Sequence, residues 1–161
     1  AAHNVVDGKR STAWCEGAPG LGVGEWVELR FTPTGLGFVG FAVLPGYTSS
    51  SRTLASNSSP GMLRVSVCGQ PAVYIDFDLG ARSRRPTRAL RVLEIGGMID
   101  LEAPNGQARS DFLDAFDAAQ PPEAEVDDWV EACLRLEIRS VRPGSTHADT
   151  CISEVVPFSG L

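Results

Sequence analysis

Apolar and polar residues alternate with a period of two through most of this chain. Segments patterned this way can bury their apolar faces only as strands, because successive side chains on a strand point to opposite sides. In Trp26–Phe31, Val27, Leu29 and Phe31 share one face while Glu28 and Arg30 share the other. Leu63, Val65 and Val67 alternate with Arg64 and Ser66, and Val73, Ile75, Phe77 and Leu79 alternate with Asp76 and Asp78. The clearest late strand is 132–141, where Leu134, Leu136 and Ile138 alternate with Arg135, Glu137 and Arg139. Residues 38–44 form a continuous apolar run, as expected of a strand buried on both faces, and 88–95 and 98–101 read as further strands. With 17 glycines and 11 prolines to punctuate them, these elements predict an all-β protein, a β-sandwich or jelly roll.

Helical signals are few. Ser110 is placed to cap a short helical insertion in which Phe112 and Phe116 stand at i, i+4, with Pro121-Pro122 ending it. Residues 49–61 read as a serine-rich loop, 82–88 as a basic loop, and 111–131 as an acidic, solvated excursion. No repeat or internal boundary is visible, so residues 1–161 are expected to form one domain, long enough to bury a real core.

A net charge of −6 argues against binding a nucleic-acid backbone, which needs a basic face. No apolar run approaches the length of a membrane span. Ala1-Ala2-His3 leads straight into a motif rather than a signal peptide, as in a domain cut from a longer protein.

Two short signatures mark the ends of the chain. Asp7-Gly8-Lys9-Arg10-Ser11-Thr12-Ala13-Trp14-Cys15-Glu16 and Asp149-Thr150-Cys151-Ile152-Ser153-Glu154 each place acidic and hydroxyl oxygens beside a cysteine. Cys15 lies three residues after Thr12 and Cys151 three before Glu154, so antiparallel pairing of the two segments would bring the oxygens and the sulfurs together. Asp7, Thr12 and Glu154 could then converge on one hard cation while Cys15 bonds Cys151. Cys68–Cys133 is a second possible pair, and four buried thiols are the alternative to both. The absence of a CxxC pair and the isolation of both histidines leave zinc without support.

The pattern N-x-x-D-G-x-x-x-T-x-W, the segment G-E-W-V-E-L-R-F and the closing I-S-E-V resemble the discoidin, or coagulation factor 5/8 type C, superfamily. T-A-W-C-E-G, P-G-Y and D-T-C-I-S-E resemble, more narrowly, the glycan-binding module appended to NADases and other surface proteins. The resemblance implies a discoidin-like jelly roll of the galactose-binding type, extracellular or cell-surface, attached covalently to another domain. It also implies a structural calcium ion held by the carboxylates of Asp7 and Glu154, by Thr12, and by the backbone carbonyls of Asn4, Lys9 and Ser153. Calcium takes six to eight oxygens in flexible geometry, which loops can supply. The competing account is a tight turn in which Asp7 and Thr12 only hydrogen-bond and Glu154 is exposed.

Sugar sites join an aromatic platform to a few fixed polar groups. Tyr47, Arg52 and Asn57, with Arg64 on the next strand, offer such a set in the region where the resembled module carries N-G-Y. Here Pro45 replaces the asparagine, and Thr48-Ser49-Ser50-Ser51 replaces a more basic run. Trp14 and Trp26 read as core, Trp129 as a strand-entry anchor, and Arg82, Arg84, Arg85 and Arg88 as a solvated cluster. Nothing assembles a catalytic set: there is no G-x-S-x-G elbow, His147 sits in a turn, and spacing alone does not make Asp127 and Asp128 an acid and base. The expectation is a non-enzymatic glycan-binding module with a structural calcium, the alternative being a packing or protein-interaction module for a neighbouring catalytic domain.

Overall fold

The computed structural model describes residues 1–32, 38–80, 89–96, 105–119 and 131–159. The expected strand at 98–101, the arginine cluster at 82–88, Pro121-Pro122, Asp127, Asp128 and Trp129 lie outside them.

Among the described residues, eight strands form two antiparallel sheets. They are β1 (Trp14–Cys15), β2 (Trp26–Phe31), β3 (Phe38–Pro45), β4 (Ser59–Val67), β5 (Gln70–Asp78), β6 (Arg91–Glu94), β7 (Ala132–Arg142) and β8 (Cys151–Ser159). One sheet runs β1-β8-β3-β6 and the other β2-β7-β4-β5. The alternation read from sequence faces the sheets towards each other: Leu134, Leu136 and Ile138 from β7 pack with Leu63 and Val65 from β4 and with Phe41 and Val43 from β3 in one buried cluster. Phe41 and Phe77 meet edge to face at 6.1 Å, bringing the two sheets into contact. The fold is an all-β sandwich.

Three local expectations change. Ser110 does not cap the helix; α2 runs Gly106–Ala118, and Asn105 begins it in a left-handed turn (φ 68°). The extra N-terminal turn is held by tertiary contacts that sequence periodicity does not register. Arg109 donates to the carbonyls of Ile95 (2.9 Å) and Gly96 (2.8 Å), while within the helix Gln107 donates to Asp111 at 2.7 Å. The acidic stretch therefore begins as helix, with Phe112 and Phe116 buried and their rings 6.4 Å apart.

The serine-rich stretch is only partly loop. It contains α1 (Ser51–Ser56), and β4 starts at Ser59. Serine hydroxyls that suggest irregular backbone here close a capping box instead: Ser50 Oγ accepts from Thr53 N–H at 3.0 Å, and Thr53 Oγ1 accepts from Ser50 N–H at 2.9 Å. Leu54 seats the helix by burying its side chain.

Trp26 is not core. It lies on the outer face of its sheet, 43% exposed, with the Arg135 guanidinium 4.2 Å over its ring. Trp14 is half-buried and packs against the core.

Candidate functional site

The first loop folds back on the last strand. β1 pairs with β8 in the register Trp14↔Ile152 and Cys15↔Cys151, and the two cysteines are disulfide-bonded with Cα atoms 4.1 Å apart. Cys68 and Cys133 form the second disulfide at the far ends of β4 and β7, where Cys68 N–H also donates to the Cys133 carbonyl at 3.1 Å. Glu28 stands beside this second bridge, but its sulfurs are bonded to each other and are not thiolate ligands.

Above the first bridge, oxygens crowd together. Thr12 Oγ1 lies 2.9 and 2.8 Å from the two Asp7 carboxylate oxygens and 2.9 Å from the Lys9 carbonyl oxygen. One hydroxyl has one proton, so three acceptors surround a single donor. Lys9 N–H donates to Asp7 Oδ1 at 2.9 Å, closing the turn. Gly8, in the left-handed region at φ 72°, directs its N–H to Glu154 Oε1 at 3.3 Å across 146 residues of sequence.

Glu154 is 6% exposed, so the exposed position in the competing account does not hold. Its Oε2 is buried and has no hydrogen-bond partner. Burial, and secondarily the nearby Asp7 charge, push its carboxyl above the ordinary value of 4.5, whereas the Thr12 hydrogen bond holds Asp7 below 3.8. An orphaned carboxylate oxygen beside an excess of acceptors is a donor set suited to a hard cation, all oxygen and mostly on loops. The residues present fit the calcium that the resemblance implies.

These shifts have opposite consequences for the chelated protein. Because folding raises the Glu154 value, the stability linked to it is fully present below 4.5 and is lost as pH rises through the folded value. Asp7 contributes above 3.8, and that contribution is lost as pH falls through its lower folded value. In EDTA the melting temperature should therefore fall as pH rises above 4.5, and Glu154→Gln should flatten that fall. An equally steep fall in the variant would assign the dependence to another group.

The other expected cation ligands are placed as follows. The Asn4 amide donates to the Ala13 carbonyl at 3.0 Å, stapling the mouth of the loop. The Ser153 hydroxyl turns away from Glu154, donating to Gly46 O and accepting Thr48 N–H, both at 2.9 Å. Thr48 Oγ1 donates to the Arg10 carbonyl at 3.2 Å, so the first loop and the Tyr47 loop are wired together.

The sugar-site candidates separate. Tyr47, Arg52 and Asn57 belong to one unit around α1: Thr53 Oγ1 donates to Tyr47 O (3.1 Å), and the Asn57 amide donates to Thr53 O (2.8 Å). Tyr47 and Asn57 are half-buried and Arg52 is exposed. Arg64 lies on the outer face of the other sheet, held bidentately by Asp76 (2.8 Å twice) and stacked 3.5 Å from the Tyr74 ring centroid. It is committed to that face and does not join the α1 unit.

Two polar residues went unmarked as site residues in the sequence. Buried Glu16 accepts N–H bonds from Ala18 (2.7 Å) and Thr150 (3.1 Å), fixing the loop after β1. Arg142, at the end of β7, lines a cleft of about 230 Å³ between α1 and the β7–β8 turn, together with Asn57, Ser59, Gly144 and Ser145. The turn sits so close to α1 that a Cβ on Gly144 would collide with the Ser56 oxygen and the Asn57 carbonyl carbon. His147, in the same turn, is exposed. Among the described residues, no helix is long and apolar enough to cross a membrane.

No curated protein sequence matches the chain. Among solved structures, the chain is similar to the arabinofuranosyltransferase AftD from Mycobacteria (TM-score 0.47, 9% identity, covering 96% of this chain) and spans 9% of that protein's length. It is also similar to the NAD+-glycohydrolase translocation domain of Streptococcus pyogenes, with TM-score 0.42 and 19% identity over 92% of this chain and 98% of that one. Over residues 1–158 the chain matches the model of the NAD glycohydrolase translocation F5/8 type C domain, and it belongs to that family.

Proposed function

We propose that this chain is a non-catalytic accessory module of a longer, exported protein, with a loop end braced by calcium and used as a packing or interaction surface for a neighbouring domain. Membership of a translocation-domain family supports the accessory role. Two disulfides that use all four cysteines suit an oxidising, extracellular setting. The observation that carries the cation is the buried, unpartnered Glu154 Oε2 beside the oxygen cluster of Asp7, Thr12 and Lys9.

Asp7 and Glu154 would supply carboxylate oxygens, Thr12 its hydroxyl, and Asn4, Lys9 and Ser153 main-chain carbonyls. The ion supplies charge neutralisation for two carboxylates and a tie between the first loop and β8. Its effect reaches the Tyr47 loop through the Thr48–Arg10 bond.

A ligand bound only by the folded state stabilises it by about 2.7 kcal/mol at a hundred times its Kd. For a domain of this size that is a rise of roughly 5–10 °C. Calcium added after EDTA should therefore raise the melting temperature by that much in the wild type. Glu154→Gln should melt higher than wild type in EDTA, since it removes a desolvated charge, and should not respond to calcium. Equal calcium responses in the two proteins would remove Glu154 from the site.

The second reading is glycan binding at the same loop end. It is favoured by the cleft in which Asn57, Ser59, Ser145 and Arg142 stand beside the apolar Leu54, Ala55 and Pro143.

A further inference from the structure

Among the described residues, the Arg142 guanidinium has no counter-charge within ion-pair distance. Its Nη2 donates to the Gly80 carbonyl at 2.9 Å and its Nη1 to Ser59 Oγ at 3.3 Å, both neutral acceptors. Its Nε is buried and makes no hydrogen bond. Desolvation, and secondarily the charge of Arg91, lower its pKa, so a second cation adds positive potential where an acid would be expected.

The site is built by pairing. The register Ser59↔Arg142 joins the start of β4 to the end of β7, so the hydroxyl and the guanidinium share one end of the sheet. Gly144 N–H donates to Ser58 Oγ at 3.0 Å, and Ser145 donates through both N–H (2.9 Å) and Oγ (3.1 Å) to Ala55 O, clamping the turn against α1. Asn57 commits one amide hydrogen to Thr53 and retains a second hydrogen and an oxygen to offer. The outcome is a small cleft in which Asn57, Ser59, Ser145 and Arg142 stand beside the apolar Leu54, Ala55 and Pro143.

We propose that this cleft binds a carboxylate carried on a small polyhydroxylated ligand, the acidic residue of a glycan. Arg142 is the anion anchor, and Asn57 and Ser145 are partners for the ring hydroxyls. Guanidinium donors match the two oxygens of a carboxylate in geometry as well as charge, and a partly desolvated guanidinium gains most from acquiring an anion. At about 230 Å³ the cleft lies below the roughly 300–1,000 Å³ of pockets that take drug-sized molecules, which suits one sugar residue and not a peptide segment. The proposal rests on the glycan reading of this loop end and adds the ligand's charge and its anchor.

The test is an NMR titration of the whole 161-residue chain with sodium glucuronate, glucose, sodium acetate and inorganic phosphate in turn. Glucuronate should shift the amide signals of Asn57, Gly144 and Ser145 saturably, at least tenfold more tightly than glucose or acetate. Arg142→Gln should weaken glucuronate at least tenfold, and the exposed Ser145→Ala should weaken it several-fold with the rest of the spectrum unchanged. Should Arg142→Gln fail to fold, Arg142→Lys, which keeps the charge and loses the fork, should show the same tenfold loss. Absent or non-saturating glucuronate shifts, indifference to these substitutions, or phosphate binding as tightly as glucuronate would each overturn the proposal. A parallel titration with neutral galactose separates the two readings: shifts at Tyr47 and Arg52 without any glucuronate response leave glycan binding standing and refute the anion site. Silence towards both sugars refutes both.

Discussion

Replacing Cys15 and Cys151 together by serine is expected to lower stability by about 2–5 kcal/mol, near the top of that range. The bridge spans 136 residues of sequence, and even with Cys68–Cys133 kept inside that span it closes a long unfolded-state loop. Cys151 is also fully buried, and a serine there places a hydroxyl where a sulfur was packed. At roughly 2–4 °C per kcal/mol, the melting temperature should drop by about 10 °C or more. The Cys68–Cys133 bridge spans 65 residues inside that segment, so with either bridge kept the other closes an unfolded-state loop of similar length, and the two losses should cost similar chain entropy. Melts of the two double variants under non-reducing conditions provide the comparison. A Cys15/Cys151 variant that melts with the wild type would mean that β1 and the first loop are held by other contacts alone.

Truncating Phe112 to alanine is expected to cost about 3–5 kcal/mol. The ring is fully buried, stacks on Phe116, and belongs to the face by which α2 covers β5 and β4. Gln70 reaches the Ala115 carbonyl from β5 at 3.4 Å, a contact too long to hold the helix once the ring is gone. Ser110→Ala, two positions away, should change stability by no more than about 0.5 kcal/mol, because Ser110 lies inside α2 and not at its start. Urea denaturation of both variants tests the burial of Phe112 and the position of the helix start together. A costly Ser110→Ala would restore the capping role.

The strands were legible because one face of each is wet and the other dry, as Leu134, Leu136 and Ile138 show against Arg135, Glu137 and Arg139. The meeting of the termini was legible from two equal offsets around Cys15 and Cys151. What escaped was set by partners distant in sequence. Helix α1 hides among serines whose hydroxyls serve caps and loops alike, and only the burial of Leu54 decides between them. Arg109 extends α2 by bonding carbonyls at the end of β6, which no helical pattern contains. Trp26 occupies an outward position that alternation had marked, yet its ring is sheltered by Arg135 from the neighbouring strand. The oxygen cluster of Asp7 and Thr12 was visible in the sequence because its members lie five residues apart. Arg142 was not, since an arginine ending a strand reads as solvated until pairing sets Ser59 across from it.

The Cys15–Cys151 bridge closes the segment between its two cysteines into a covalent ring. A ring cannot be pulled through a narrow opening as a single file of residues; two lengths of chain must pass abreast, or the bond must first be reduced. Single-file passage of this module through a pore would therefore require reduction of the bond as well as unfolding.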